Sequence, residues 1–308
     1  MDQSRRIDDK RDGGSALRDR KTVVDYILVV VFIGLVFLTF TPMINIFARS
    51  FSGANAISLG QVFLWPVDWQ FDAYRMVLLD SRYTYSLWFT TYLTATAVAV
   101  SMTLTILMAF PLTYEALKGR RIVSFLMIFT MFFGVGMIPH FILMRDLNLL
   151  NNFWVLVIPN AISVMNVIIM RAFFFAIPLS LKESAEVEGA NPFQILVRIY
   201  LPLSSPVLAT VGLFYAVGRW NGFGDALVYI APSHRHLYPI QRLLHDLITA
   251  ATSIETAALE GLGGLDFGGL TESLRAATII IATVPILLVY PWLQRYFITG
   301  VTLGAVKE

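Results

Sequence analysis

The sequence predicts an all-α membrane protein of six transmembrane helices, and three observations carry that reading. Of its 308 residues 56% are hydrophobic, and the mean hydropathy is +0.67. Charged residues make up only 14%, against about 25% in an ordinary soluble domain, so the polar surface a soluble fold of this size needs is missing. Six stretches stay apolar over the roughly 20 residues that cross a bilayer. Backbone groups in lipid must pair within their own segment, so these runs are helices. The alternating pattern of a membrane barrel is absent.

Residues 1–22 form a polar, charged tail. The first span, Tyr26 to Ala48, carries no charge. It is too long for a removable leader and lacks a small-residue cleavage site, so it is expected to be retained. Tyr83 to Tyr114 is the second span and Ile122 to Met144 the third, with His140 its one ionisable group. Asn151 to Met170 is the fourth. Ile199 to Gly218 is the fifth, with Pro202 and Pro206 near its start, and Ala276 to Gln294 is the sixth, with Pro285 and Pro291 inside it. The spans make one membrane domain, 23–302, followed by a tail, 303–308. Gly261–Gly269 is glycine-rich and expected to be irregular, since glycine removes the Cβ constraint.

Lysine and arginine in the connections set the orientation. With the N-terminus inside, the inside segments 1–22, 115–121, 171–198 and 295–308 hold 15 Lys or Arg, and the outside segments hold 8. Both termini are therefore expected on the cytoplasmic side. The basic residues lie between apolar runs, with no stripe for nucleic acid. There is no cysteine, which excludes a thiolate metal site, a disulfide framework and a catalytic thiol. No metal site is expected. No phosphate-binding glycine loop is present, so no nucleotide is expected on this chain.

The segment 178–202, inside by the charge rule, has strong local structure. Ser180 followed by Glu183 has capping-box spacing and predicts a short helix from about Leu181. Gly189 is suited to end it in a left-handed conformation. Asn191 can cap a second helix with Pro192 at its first position, stopping near Leu201-Pro202. The first helix carries apolar Leu181, Ala185 and Val187 with Lys182 and acidic Glu183, Glu186 and Glu188, a mix that suits either a groove on a soluble partner or a lipid-headgroup surface.

Glu183-Ser184-Ala185, three residues, Gly189, nine residues and Ile199-Tyr200-Leu201-Pro202 resemble the EAA loop of binding-protein-dependent ABC importer permeases, with Ser184 where an alanine is usual. Over most of the chain the six spans, the long first outside loop and the stretch from Ile138-Pro139 to Phe174 are similar to MalG-type carbohydrate permeases. Asn221 after Trp220, and the ending Gly300 to Glu308, resemble the subgroup that imports polysaccharide-derived oligosaccharides, alginate importers among them. The resemblance implies a type I importer fold in which Ser180, Glu183, Ser184, Ala185, Gly189, Ala190, Ile199, Leu201 and Pro202 couple to an ATPase. It further implies a second permease subunit, a cytoplasmic ATPase dimer holding ATP and Mg, and a solute-binding protein outside a bacterial inner membrane. This chain is then a transport subunit and not an enzyme.

Polar groups inside spans are costly and point to a pathway. Thr94, Asn160, Ser163, Asn166, Trp220 and Asn221 are candidates for a sugar path, because sugars need hydroxyl-bonding groups and aromatic faces. Each also has a structural reading: hydroxyls bond helix carbonyls, Asn bonds neighbouring helices and Trp sits at interfaces. Arg171 and Arg219 lie near membrane boundaries, where snorkelling or loop contact is the expected role. An ion-coupled secondary transporter would show ionisable groups deep in several helices and often inverted repeats. Neither is evident. A neutral, maltose-like sugar remains open as cargo.

Overall fold

In a computed structural model, residues 23–259 and 268–305 are described, and among them the secondary structure is helical with no strand. Three long helices form the frame. α1 (Val23–Ser50), α4 (Ser81–Ala109) and α14 (Gly268–Ala305) have 28, 29 and 38 residues. At 1.5 Å per residue α1 and α4 are each about 40 Å long. α1 has no buried residue between Val24 and Phe40, and Val30, Phe32, Phe37 and Leu38 are each more than 60% exposed. Such a surface is at home only in hydrocarbon. α1 runs along α14, which also packs on α11 (Ser205–Asn221) and α13 (Ile240–Leu259). α14 also packs on the short helix α2 (Ala54–Ser58), and that close approach depends on Gly269: a Cβ there would lie 1.9 Å from the carbonyl oxygen of Ala54.

The short helix α3 (Asp72–Leu79) leads to Asp80, which caps α4: its carboxylate accepts from the Arg82 backbone N–H at 2.9 Å and grips its guanidinium at 2.6 Å. The Arg82 hydrogen bond holds the Asp80 carboxyl below its usual pKa. Two cores form at different levels of α4. Phe89, Leu93 and Ala97 pack with Val155, Leu156, Tyr229 and Tyr238. Ala109 and Phe110 pack with Val167, Met170, Phe174, Tyr200 and Val211. Thr90 ties the first core to the start of α13: its hydroxyl accepts from Ile240 N–H at 2.8 Å and donates to Ser86 at 2.6 Å.

The other three expected spans are broken. Among the described residues three helices are long and apolar enough to cross a membrane alone, and up to six crossings result if each bent pair counts as one. The third splits into α5 (Arg120–Phe132) and α6 (Met137–Asp146), bent by 117° where Gly136 takes φ +80°. In the fourth, Asn151 to Ser163 is irregular apart from one 3-10 turn, Phe153–Leu156, and only α7 (Val164–Ala176) is a helix. Val155, Leu156 and Val157 are nearly fully buried, the condition under which irregular backbone survives at membrane depth. The bent pair that includes α7 continues into α8 (Leu179–Val187) at 73°. α8 carries Lys182, Glu183 and Glu186 and buries no residue, so its composition is that of a surface helix. The fifth bends by 85° at Ser204, between Pro192–Leu203 and α11. The sixth is longer than its apolar stretch and starts at Gly268, so Gly268 and Gly269 are helical rather than irregular. Residues 260–267, which include Gly261 to Phe267 of the glycine-rich segment, lie outside the described residues, as do 1–22 and 306–308; Leu303 to Ala305 continue α14.

Candidate functional site

Two sites collect the residues singled out from the sequence. The first is the helix–glycine–helix loop. α8 ends in a Schellman arrangement: Gly189 N–H donates to Glu186 at 3.0 Å and Ala190 N–H to Ala185 at 2.9 Å. Gly189 has φ +83°, which only glycine adopts at little cost. Asn191 then caps α9 (Pro192–Ile195) in a reciprocal capping box with Gln194, both bonds at 2.9 Å. The chain continues as one π turn, Leu196–Tyr200, into α10 (Leu201–Leu203). The π turn precedes Pro202, which has no N–H for the Arg198 carbonyl and would crowd it in an α-helical turn. The helix ends at Leu203, one residue past Pro202 and close to the expected stop, with the widened turn just before it.

The start of α8 differs from expectation. Pro178 is at the N-cap position with no side-chain cap, and Ser180 lies inside the first turn. Two residues, Ile177 and Pro178, separate α7 from α8, so the chain is already helical at Leu179. Ser180 and Glu183 are exposed and make no capping box.

One face of this loop is fastened and the other is bare. Ala185, Ala190, Ile199 and Leu201 pack against the second core. Tyr200 meets Phe110 and Phe174 edge-on, with ring centroids 5.0 and 5.5 Å apart. Lys182 Nζ sits 3.7 Å over the Tyr114 ring and 3.7 Å from Glu186. Glu183, Ser184 and Glu188 are exposed, and Val187 is 90% exposed. Aromatic anchoring on one side with an acidic–apolar face on the other is what a rigid element receiving a partner requires.

The second site is a cavity of about 650 Å³ between the levels of the two cores. Ala97 and Ser101 of α4, Asn160, Ser163 and Asn166, and Tyr215, Arg219 and Asp225 line it. Ser163 is not on the same helix face as Asn166. It is the N-cap of α7, and its hydroxyl accepts from Asn166 N–H at 3.4 Å. The Tyr215 hydroxyl bonds Thr105 at 2.7 Å and accepts from Ser163 N–H at 3.0 Å. Arg219 donates to Asp225 at 3.0 Å, and Asn160 Nδ2 donates to the same oxygen at 2.9 Å. Asp225, six residues after Arg219, meets it because the chain turns at Gly222 between α11 and α12 (Gly224–Tyr229). Sequence reasoning placed Arg219 at a boundary and missed this pair; the close succession Arg219, Asn221, Asp225 was its available signal.

Trp220 is 7% exposed and donates its indole N–H to the Ala282 carbonyl at 3.0 Å, so it joins α11 to α14. Asn221 is exposed at the end of α11. Thr94 lies on α4 outside the cavity, its buried hydroxyl without a partner. Arg171 donates to Ser124 at 3.3 Å. His140 is hydrogen-bonded, its Nδ1 2.6 Å from the Tyr229 hydroxyl.

A membrane-embedded helical frame, a fastened helix–glycine–helix loop and a polar cavity define a transport subunit. Residues 99–303 match the family model described as "binding-protein-dependent transport system inner membrane component", and the chain belongs to that family. It is 38% identical over 266 residues to the polygalacturonan/rhamnogalacturonan transport system permease protein YtcP of Bacillus subtilis (strain 168), covering 86% of this chain and 92% of the relative. It is 37% identical over 270 residues to Protein LplC of the same organism, 88% and 90% of the two chains. Among solved structures it is similar to a chain of a bacterial ABC transporter involved in the import of the acidic polysaccharide alginate. There the TM-score is 0.80 and the identity 34%, over 92% of this chain and 100% of that one.

Proposed function

We propose that the chain forms one half of the translocation path of an ATP-driven importer of acidic oligosaccharides. A second permease subunit supplies the other half, a cytoplasmic ATPase dimer binds ATP and Mg, and a solute-binding protein delivers cargo from outside. Both termini and the α8 loop are cytoplasmic in this reading, in keeping with the Lys/Arg bias and. The observation that carries it is the cavity, where the hydroxyls and amides of Ser101, Asn160, Asn166 and Tyr215 surround Arg219. Hydroxyl and amide groups match sugar hydroxyls, and a guanidinium matches a uronate carboxylate bidentately. The cargo of YtcP and of the alginate transporter, by their names, is acidic polysaccharide.

A neutral sugar is the second reading, and Asp225 favours it, since its carboxylate already balances Arg219. Reconstituting the assembled importer in vesicles and measuring substrate-stimulated ATP hydrolysis separates the two. Oligouronates should stimulate, and Arg219→Gln should weaken that response about tenfold, the loss of one charged hydrogen bond. Stimulation by neutral maltooligosaccharides alone, unaffected by Arg219→Gln, would establish the second reading.

A further inference from the structure

A second cavity, of about 810 Å³, opens where the Tyr114–Arg121 connection enters α5, well apart from the sugar-path cavity. Its walls are Glu115, Leu117, Gly119, Arg120, Arg121, Ile122, Ser124 and Arg171. Gly119 at φ +85° turns the chain so that Arg120 and Arg121 begin α5. Arg171 comes to the same place from α7. Arg120 and Arg171 share one aromatic ring: their guanidinium carbons lie 5.1 and 5.2 Å from the Phe175 centroid. Like charges gathered on one ring repel. Among the described residues no carboxylate lies within 4.0 Å ion-pair range of Arg120, Arg121 or Arg171, although Glu115 is on the rim. Arg171 Nε is buried with no hydrogen-bond partner. With three like charges gathered and no carboxylate in ion-pair range, this cluster is short of an anion.

The surface next to the cluster says which anion. Ile122, Phe125 and Phe129 follow the arginines at spacings of three and four residues, so they share one face of α5. They are 66%, 65% and 44% exposed, and Phe133 just beyond the helix is 64% exposed. A cationic pocket at one end of a bare apolar stripe, at the point where an apolar helix starts, has the layout of a phospholipid: a phosphate among the arginines and an acyl chain along the rings. An acidic segment of a protein partner would meet the charge but leave the stripe bare.

We infer that the Arg120–Arg121–Arg171 pocket binds the headgroup phosphate of an anionic membrane phospholipid, whose acyl chain lies on the Ile122–Phe125–Phe129 face of α5. Under the proposed orientation this lipid belongs to the cytoplasmic leaflet. It docks beside the α8 loop, since α7 carries Arg171 and leads directly into α8.

The test titrates the detergent-purified importer with phosphatidylglycerol and with phosphatidylcholine of the same acyl chains, counting bound lipid by native mass spectrometry. Phosphatidylglycerol should bind tighter, and the Arg120→Gln, Arg171→Gln double variant should weaken it by roughly thirtyfold. The double lysine variant, which keeps the charge, should stay within about threefold of the parent, and this guards against a folding artefact. Arg145→Gln, in an exposed pair with Asp146, should change nothing. Equal binding of the two lipids, or unchanged phosphatidylglycerol binding in the glutamine variant, overturns the inference. Displacement of the lipid by millimolar inorganic phosphate would make this a soluble-phosphate site. Loss of the ATPase subunit with lipid retained would make it a protein contact.

Discussion

Asp225 shows how much one residue organises. Its carboxylate takes hydrogen bonds from Arg219 and Asn160 on a single oxygen, so it joins the end of α11 to the irregular segment before α7. Arg219 is 12% exposed at its side chain and Asp225 29%. Removing one partner of such a pair leaves the other charge partly buried without compensation. Asp225→Ala should lower stability by about 2 kcal/mol, read as a fall in the thermal midpoint of the purified chain. Arg219→Met together with Asp225→Ala should recover part of that loss, since no charge is then stranded. A double variant as unstable as the sum of the singles would show that the two groups act independently. Asn160, Ser163 and Asn166 were legible as a group because polar residues are rare in such apolar sequence. Their geometry was not. A cap and a helix face share the three-residue spacing, and only the break before Val164 decides between them.

At the scale of elements, short-range signals were readable and long-range ones were not. Gly189 and the Asn191-Pro192 start lie where the sequence put them, because turn and cap chemistry acts over a few residues. Ser180 and Glu183 have the same kind of spacing and failed, since the entry at Pro178 had already set the helix. The breaks near Gly136 and Ser204 were hidden, because an apolar run reads the same straight or bent. α13 was hidden for the opposite reason: it lies between the fifth and sixth apolar spans, and counting apolar spans overlooks a mixed amphipathic helix. The corner between α8 and α9 carries its own prediction. Asn191→Ala removes both bonds of the capping box and should cost about 1 kcal/mol. Amide exchange at Phe193 to Ile195 should quicken accordingly, while exchange in α4 stays unchanged. Uniform quickening in both would mean that the loop is not a separate unit.

Across the whole molecule, the arrangement is a fastened loop set on a frame of long helices. Two cores at different levels of α4 hold the cavity between them, and the second core also grips Ala185, Ala190 and Tyr200 of the loop. Through the second core α8 is joined to α7, α4 and α11, and those helices line the cavity. Family membership and the fastened loop together make coupling at the bare face of α8 the central claim. It is tested most directly by reversing one charge on that face, Glu183→Lys, in the assembled importer. Glu183 is exposed and outside every capping or ion-pair contact described above, so folding and membrane insertion should be unaffected. Substrate-stimulated ATP hydrolysis should fall about tenfold, with the ATPase subunit lost from the purified complex. Full co-purification and full stimulation in the Glu183→Lys importer would contradict the account.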